Sequence, residues 1–305
     1  MNIIRRTVLA VADNGAVSRF FRSNQVTRGL VRRFVAGDTL VEAMAAAHDL
    51  DSRSITTTLD LLGENVESAE EARAAVETYT TILRSMRDAN LEPNISVKLT
   101  MLGLDFGRDV AADNMTAILD VARDVSGFVR IDMEGSACTE VTMRIFDELH
   151  ATHPAEVGIV IQTCLRRAES DVRHAIDLGA RVRLVKGAYA EPEEVAFQNR
   201  VEVDENFARL TRLLLSEGTY PAIATHDLDL VRAAREHARR FHIVSDRFEF
   251  QMLYGVRRDQ QERLVADGYR MRVYVPYGAE WYPYFTRRIA ERPANALFVL
   301  RQLRG

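Results

Sequence analysis

Residues 157–186, VGIVIQTCLRRAESDVRHAIDLGARVRLVK, hold one complete unit of the alternation that decides the fold. VGIVIQ (157–162) and RVRLVK (181–186) are short, rich in β-branched residues and strand-like. Between them AESDVRHAIDLG reads as an amphipathic helix that stops at Gly179, a residue suited to the C′ position. The same alternation extends in both directions. Upstream lie ITTTLDLL (55–62), ISVKL (95–99) and FVRIDM (128–133); downstream lie PAIATH (221–226), RFEFQML (247–253) and MRVYVPY (271–277).

Helical stretches fill the gaps. Ser68 and Glu71 form a capping-box signature ahead of Ala75, Tyr79, Ile82 and Met86, which share one face. Asn114 and Thr139 are expected as N-caps of the next two helices. Gly218 is expected to end EVDENFARLTRLLLSEG as Gly179 ends its helix. Asp227 precedes DLVRAAREHARR, Asp259 precedes QQERLVADG, and a last helix starts near Ala279. Eight strand–helix pairs predict an α/β chain folded as a (β/α)8 barrel of the TIM type; an open, doubly wound sheet is the alternative. The expected division is a helical segment, 1–50, packed on a catalytic barrel, 51–305, the whole forming a single domain.

Composition narrows the function. The chain has 305 residues, 47% hydrophobic and 28% charged, enough to bury a large core. Its net charge of −4 gives no reason to expect nucleic acid. No apolar run is long enough for a membrane span, and the N-terminus lacks a signal-peptide pattern. Two cysteines, Cys138 and Cys164, cannot build a disulfide framework, so a reducing, cytoplasmic setting is expected. Residues 1–37 carry Arg5, Arg6, Arg19, Arg22, Arg28, Arg32 and Arg33 against Asp13, interleaved with Phe20, Phe21, Leu30, Val31, Phe34 and Val35. Such a segment either rests peripherally on the inner face of an anionic membrane or packs its phenylalanines on the main domain and leaves its arginines wet. The packing reading is preferred.

Of 40 basic residues, only Lys98 and Lys186 are lysine. A compact ammonium does not interchange with a planar fork where geometry is tight. Both lysines fall at the C-terminal ends of predicted strands, where barrels of this kind place their sites. The same rim holds Asp60 and Glu64, Asp132 and Glu134, Gln162, Arg183, the run Gly187–Ala188–Tyr189, Thr225 and His226, Glu249 and Gln251, and Tyr274. Any one of these could be a satisfied buried polar group; packing does not explain one at nearly every strand end.

Several chemistries lack their motifs. There is no His-x-His, HExxH or cysteine pair for a metal, no G-x-S-x-G elbow, no Walker loop and no G-x-G-x-x-G. A Schiff-base lyase using Lys186 stays open, as does a non-catalytic amino-acid-binding barrel. The abundance of guanidinium groups and aromatics suits an anionic substrate and a flat cofactor.

The motifs LDLLGE (59–64), SVKLT (96–100), IDMEGS (131–136), RLVKGAYAEPEEVAF (183–197), ATHD (224–227), FEFQMLYG (248–255) and YVPYGAEWYPYFTRRIAE (274–291) resemble, in order, those of the proline dehydrogenase family, in its bacterial monofunctional branch. Arg200 departs from the lysine expected there. The resemblance implies a distorted barrel with non-covalent FAD. It also implies oxidation of L-proline to Δ1-pyrroline-5-carboxylate, with hydride passing to flavin N5 and electrons then to a membrane quinone.

Residue roles follow from the resemblance. Arg287 and Arg288 look like the clamp for the proline carboxylate, with Lys98 a third cationic contact. Glu291 lies on the same helical side and would orient the pair. Tyr189, Leu253, Tyr274 and Tyr284 would wall the pocket, and the bulk of Tyr274 would disfavour hydroxyproline. Glu64 resembles the partner of Arg287 in an ion-pair gate. Arg183 resembles the residue beside flavin N5, and Asp132 an orienting group with possible proton handling. Met133 (through backbone), Gln162, Val185, Gly187, Ala188, Tyr189, Thr225 and His226 resemble further flavin contacts. The sequence leaves the oligomeric state open, a homo-oligomer included.

Overall fold

Eight parallel strands close into a barrel in strict sequence order in the computed structural model, which describes residues 29, 31–63 and 66–290. They are β1 (Thr56–Leu61), β2 (Asn94–Val97), β3 (Phe128–Ile131), β4 (Val157–Gln162), β5 (Arg181–Val185), β6 (Ala222–Ala224), β7 (Glu249–Leu253) and β8 (Arg270–Tyr277). Helix α1 (Leu40–Asp51) precedes β1. The helices α2 (Ala69–Asp88), α3 (Arg108–Asp124), α4 (Ser136–Thr152), α5 (Ala168–Asp177), α6 (Arg200–Glu217), α7 (Leu228–Arg240), α8 (Arg258–Ala266) and α9 (Trp281–Ala290) each follow one strand. The closed sheet excludes the open, doubly wound alternative.

Strand side chains alternate between two very different environments. One set is apolar and fully buried: Leu59, Ile95, Val97, Val129, Ile131, Ile159, Ile161, Val182, Leu184, Ile223, Phe250, Met252, Val273 and Val275. These belong to one cluster with helix residues such as Tyr79, Ile82, Met115, Phe146 and Phe207, so the main core is a ring between barrel and helices. The intervening positions carry the polar residues Thr58, Asp60, Asn94, Ser96, Arg130, Gln162, Arg183, Glu249, Gln251, Arg272 and Tyr274, with Phe128, Val160 and Leu253 among them. Cross-barrel bonds, such as Arg183 on β5 to Ser96 on β2, place this set in the lumen.

The lumen must therefore satisfy its own charges. In its deeper layer Arg272 donates from Nε to Glu249 Oε1 at 3.0 Å and Oε2 at 3.1 Å. The same guanidinium donates to the Thr57 carbonyl at 2.8 Å and to Glu92 at 2.7 Å. Arg130 donates to the carbonyl of Arg181 at 2.5 Å. A Cβ at position 158 would stand 2.6 Å from the Arg130 guanidinium and 2.7 Å from the Arg181 carbonyl, so glycine there makes room for the buried arginine.

Helix starts depart from the sequence reading in three places. Asn114 lies inside α3, whose N-cap is Gly107, and its side-chain amide donates to the Leu102 carbonyl at 2.9 Å. Thr139 is buried inside α4, which begins after Gly135. Asp259 sits in the first turn of α8, behind Arg257. Gly218 also differs from Gly179: its φ is −81°, so it caps α6 without a left-handed turn, whereas Gly179 has φ +70°. Ser68 accepts from Glu71 N at 3.1 Å, but the Glu71 carboxylate turns to the Glu67 backbone, so half of the box forms. Asp227 caps α7 as read.

A second apolar cluster joins the two ends of the described chain. Val31, Phe34 and Val35 pack with Leu62, Val256 and the α9 residues Trp281, Tyr282, Tyr284 and Phe285. Backbone bonds from Ala36 N to Pro276 O and from Gly278 N to Gly37 O, both 2.9 Å, tie the segment to the end of β8. Residues 31–37 thus follow the packing reading, with Arg32 and Arg33 exposed. The remainder of 1–37, apart from Gly29, lies outside the described residues. Among the described residues no helix is long and apolar enough to cross a membrane.

The Glu249–Arg272 pair gives an acid-side prediction. Burial pushes the Glu249 carboxyl up, but the Arg272 charge and the surrounding donors outweigh it, and the net shift is below the ordinary 4.5. A depressed folded-state pKa stabilises the fold above the unfolded value and loses that contribution as pH falls through the folded one. Glu249→Gln should cost about 3–5 kcal/mol at pH 7, because it leaves Arg272 buried and under-compensated. It should also flatten the loss of stability below pH 4.5. Denaturant unfolding at several pH values tests both; a loss under about 1 kcal/mol at pH 7 would contradict the pairing.

Candidate active site

The charged groups converge where the strands end. Sheet register places Asp60 beside Ser96, Ser96 beside Arg130, and Tyr274 between Thr58 and Leu253. Lys98 and Asp132 follow β2 and β3 directly. The Asp132 backbone N–H donates to the Val97 carbonyl at 2.9 Å, continuing the ladder one step.

Asp132 is the hub. Its Oδ1 accepts from Ser96 Oγ at 2.9 Å and from an Arg183 guanidinium nitrogen at 2.8 Å. Its Oδ2 accepts from the Tyr274 hydroxyl at 2.8 Å. The same Arg183 nitrogen donates to Ser96 Oγ at 2.8 Å, and the guanidinium carbon lies 5.2 Å from the centre of the Tyr274 ring. Four strands thereby fix one carboxylate. Beside it, Lys98 Nζ lies 3.1 Å from Asp60 Oδ1. Both of these side chains are nearly sealed, at 10% and 1% exposure.

Burial and neighbouring charge set the ionisation of this group. Burial pulls the Lys98 pKa down, but the charges of Asp60 and Asp132 more than offset it, and the ammonium is held well above the ordinary lysine range. The Tyr274 phenol is pushed well up by burial first, then by Asp132 and Asp60. It is a neutral hydrogen-bond donor at physiological pH.

On the next sector of the rim, Gln162 donates to the Glu134 carbonyl at 2.8 Å. Glu134 itself accepts from Thr100 Oγ1 at 2.6 Å, which ties the loops after β2, β3 and β4 together. Met133 is buried between Asp132 and Glu134. Val185 closes β5, and the chain then opens at Gly187 with φ +107°. A Cβ there would meet Cys164 Sγ at 2.3 Å and Gln162 Oε1 at 3.1 Å, so only glycine lets the backbone lie this close. Ala188 and Tyr189 follow, half-buried. Thr225 Oγ1 accepts from Asp227 N at 3.1 Å, and His226 Nε2 accepts from Leu253 N at 2.9 Å, joining the ends of β6 and β7.

The wall opposite is apolar. Leu253 packs on the cluster that holds Tyr284, and the Arg288 guanidinium lies 5.3 Å from the Tyr284 ring centre. Glu64, Glu291 and the Arg287 side chain lie outside the described residues. Arg183, Gln251 and Tyr274 stand inside β5, β7 and β8, and Glu249 opens β7 in the deeper layer instead of lying on the rim; the other predicted residues belong to the strand ends, the loops just after them, or α9.

Lys186 is built differently from Lys98. It is a quarter exposed, and its ammonium lies 2.5 Å from Asp204 and 3.0 Å from Asp227. Schiff-base chemistry would require breaking both pairs. Ser96, which bridges Asp132 and Arg183, was not singled out in the sequence; its position two residues before Lys98 on the same strand face is the signal that marks it. Among the described residues no three His, Cys, Asp or Glu side chains cluster as a metal site needs.

A polar cluster at the C-terminal mouth of a closed (β/α)8 barrel is the site architecture of a barrel enzyme. The proline dehydrogenase family description matches residues 43–301. Proline dehydrogenase 1 of Bacillus subtilis subsp. natto is 40% identical over 299 residues, 98% of each chain. Proline dehydrogenase of Deinococcus radiodurans is 39% identical over 303 residues, 98% of this chain and 97% of that one. A crystal structure of proline utilization A (PutA) from Bdellovibrio bacteriovorus, inactivated by N-propargylglycine, superposes with a TM-score of 0.81 at 27% identity. That match covers 87% of this chain and 33% of the other, so the likeness is to about a third of a longer protein. The chain belongs to the proline dehydrogenase family and is an oxidoreductase of that family.

The close approach at Gly187 is testable without any ligand. Gly187→Ala should destabilise the fold by about 1–3 kcal/mol, from the Cys164 contact and the positive φ together. Cys164→Ala in the same chain should recover part of that loss in thermal unfolding. No recovery would mean that backbone conformation alone demands the glycine.

Proposed function

We propose that this chain oxidises L-proline to Δ1-pyrroline-5-carboxylate with a non-covalently held FAD. The observation that carries the reading is the Lys98–Asp60 and Arg183–Asp132–Tyr274 cluster, buried at the barrel mouth of a family member. A flat cofactor needs backbone that can lie against it and buried donors at its edge. Gly187, which no side chain can replace, and the buried Gln162 and Arg183 suit that need. Met133, Val185, Ala188, Tyr189, Thr225 and His226 would complete the holding set. Bound there, FAD supplies the two-electron acceptor.

The protein's part is placement and charge. Lys98, Arg287 and Arg288 bind the proline carboxylate, with Glu291 orienting the arginines. Charge-assisted hydrogen bonds of this kind contribute about 1.5–3 kcal/mol each. Tyr189, Leu253, Tyr274 and Tyr284 enclose the ring, and Tyr274 excludes a ring hydroxyl. Arg183 stabilises negative charge that develops beside it. Asp132, already accepting three hydrogen bonds, orients Arg183 and Tyr274 and supplies negative charge beside them. Glu64 and Arg287 close over the substrate and exclude water. Electrons pass onward to a membrane quinone, and the basic segment 1–37 makes a weak, salt-sensitive peripheral contact with an anionic surface, while 51–305 form the catalytic barrel.

Anaerobic addition of L-proline to the FAD-loaded protein should bleach its visible absorption. A spectrum that shifts without bleaching would retain the flavin and sink the substrate. A protein that cannot take up FAD would sink the reading altogether. Arg288→Ala should raise the KM for proline at least about tenfold, or 1.4 kcal/mol, with FAD retained. A near-wild-type KM would remove Arg288 from the clamp.

A further inference from the structure

Asp60 stands one step behind the residues assigned above, and its environment is unusual. It is 1% exposed, yet among the described residues its Oδ2 has no hydrogen-bond partner. Its Oδ1 faces Lys98 Nζ at 3.1 Å. A buried carboxylate half-satisfied in this way is costly, and a protein gains nothing from it by packing alone. Asp132 cannot substitute for it, because both Asp132 oxygens are already engaged by Ser96, Arg183 and Tyr274. Lys98, for its part, uses one of three N–H donors on Asp60. A second and third remain for an incoming anion.

We propose that Asp60 is a positioning residue: it holds Lys98 in place as a charged ammonium, with its remaining donors available to the substrate carboxylate. This rests on the assignment of Lys98 as a carboxylate contact. The physical need is plain. An ammonium sealed from water discharges unless a counter-charge lies beside it. Asp60 supplies that counter-charge through a monodentate contact that leaves the ammonium only partly engaged; burial, and to a lesser degree Asp132, raise the Asp60 carboxyl, and the Lys98 charge is what pulls it back toward ionisation. The other groups around the pair are Asp132 after β3, Tyr79 on α2, and Tyr274 and Tyr277 on β8. The three tyrosines are all pushed up by burial and stay neutral through the pH range of an assay, and Arg183 is committed to Asp132. Removing Asp60 therefore leaves Asp132 as the nearest remaining negative charge, and burial then works against the Lys98 ammonium.

The probe is cyclopentanecarboxylate, which keeps the carboxylate and ring of proline but has no ring nitrogen to titrate. Its inhibition constant against L-proline is measured from pH 6.5 to pH 9.5 for the FAD-loaded wild type, Asp60→Asn, Lys98→Met and the double variant. Wild type should show a flat profile. Asp60→Asn should bind the inhibitor more weakly as pH rises, by at least about fivefold across the range, since an adjacent opposite charge is worth about 1–3 pKa units. Flavin content and spectrum should not change. In the Lys98→Met background the added Asp60→Asn change should leave no pH dependence, which a merely structural role for Asp60 would not produce. A flat profile for Asp60→Asn, or a pH-dependent one that persists without Lys98, overturns the proposal. Should Asp60→Asn fail to fold, a wild-type inhibition constant that rises steeply above pH 8 overturns it as well. Failure of the functional reading looks different: the wild type itself would then neither bleach with proline nor bind the inhibitor.

Discussion

Arg183 and Asp132 meet across the barrel lumen at 2.8 Å, and much of the molecule is arranged so that they can. Each is nearly buried, so neither is tolerable alone. Their contact requires β5 and β3 to hold one register, Ser96 on β2 to bridge them, and Tyr274 on β8 to satisfy the second carboxylate oxygen. A slip of one residue in any of these strands would turn a lumen charge into the apolar ring and bring a valine or isoleucine inward. Charge pairing in the lumen thus acts as a register lock for the whole barrel.

The division of labour between the two faces of the sheet follows. Stability comes from the outer ring, where side chains such as Leu59, Ile131, Leu184 and Phe250 are wholly buried against helices. The lumen contributes specificity and chemistry. Its two layers differ in how fully they are satisfied. Arg272 is closed by Glu249, Glu92 and a backbone carbonyl, and it serves as a floor. The upper layer keeps spare capacity at Lys98 and Asp60, which is what a binding site requires. Phe34 and Val35 also pack with α9, so the helix that carries Arg288 is held both by a strap that precedes β1 and by Leu62, Leu253 and Val256 at the barrel mouth.

Strands were legible because their alternation is strong. In VRIDM (129–133) the apolar and charged residues fall on opposite faces, and Arg130 and Asp132 are found in and at the mouth of the lumen, as that pattern requires. Helix starts were less legible. Gly107 and Gly135 provide no side-chain cap, so the nearest polar residues, Asn114 and Thr139, attracted the assignment while sitting well inside their helices. The carboxylate hub was readable residue by residue, but its wiring was not. Ser96 looks like an ordinary strand serine until the sheet closes and brings Arg183, 87 positions away, to its hydroxyl. Asp60 was visible as a strand-end carboxylate; Glu249 is as deeply buried, and what separates the two is the partner, Lys98 on one oxygen of Asp60 against Arg272 on both oxygens of Glu249.

The two lysines of this arginine-rich chain differ in what surrounds them. Lys186 sits at the margin, held by Asp204 and Asp227 with Arg200 close to both, in a network where charge matters more than shape. Lys98 sits in a sealed space against a carboxylate that touches it through one oxygen. A guanidinium placed there would reach further, present a fixed fork, and tend to engage both oxygens of Asp60. That would consume the donors that face the lumen. An ammonium, with its charge at one point and its N–H bonds free to rotate, can be pinned from one side and still bind from the other. The scarcity of lysine elsewhere is a matter of composition; a lysine at position 98 suits the one-sided contact that Asp60 makes.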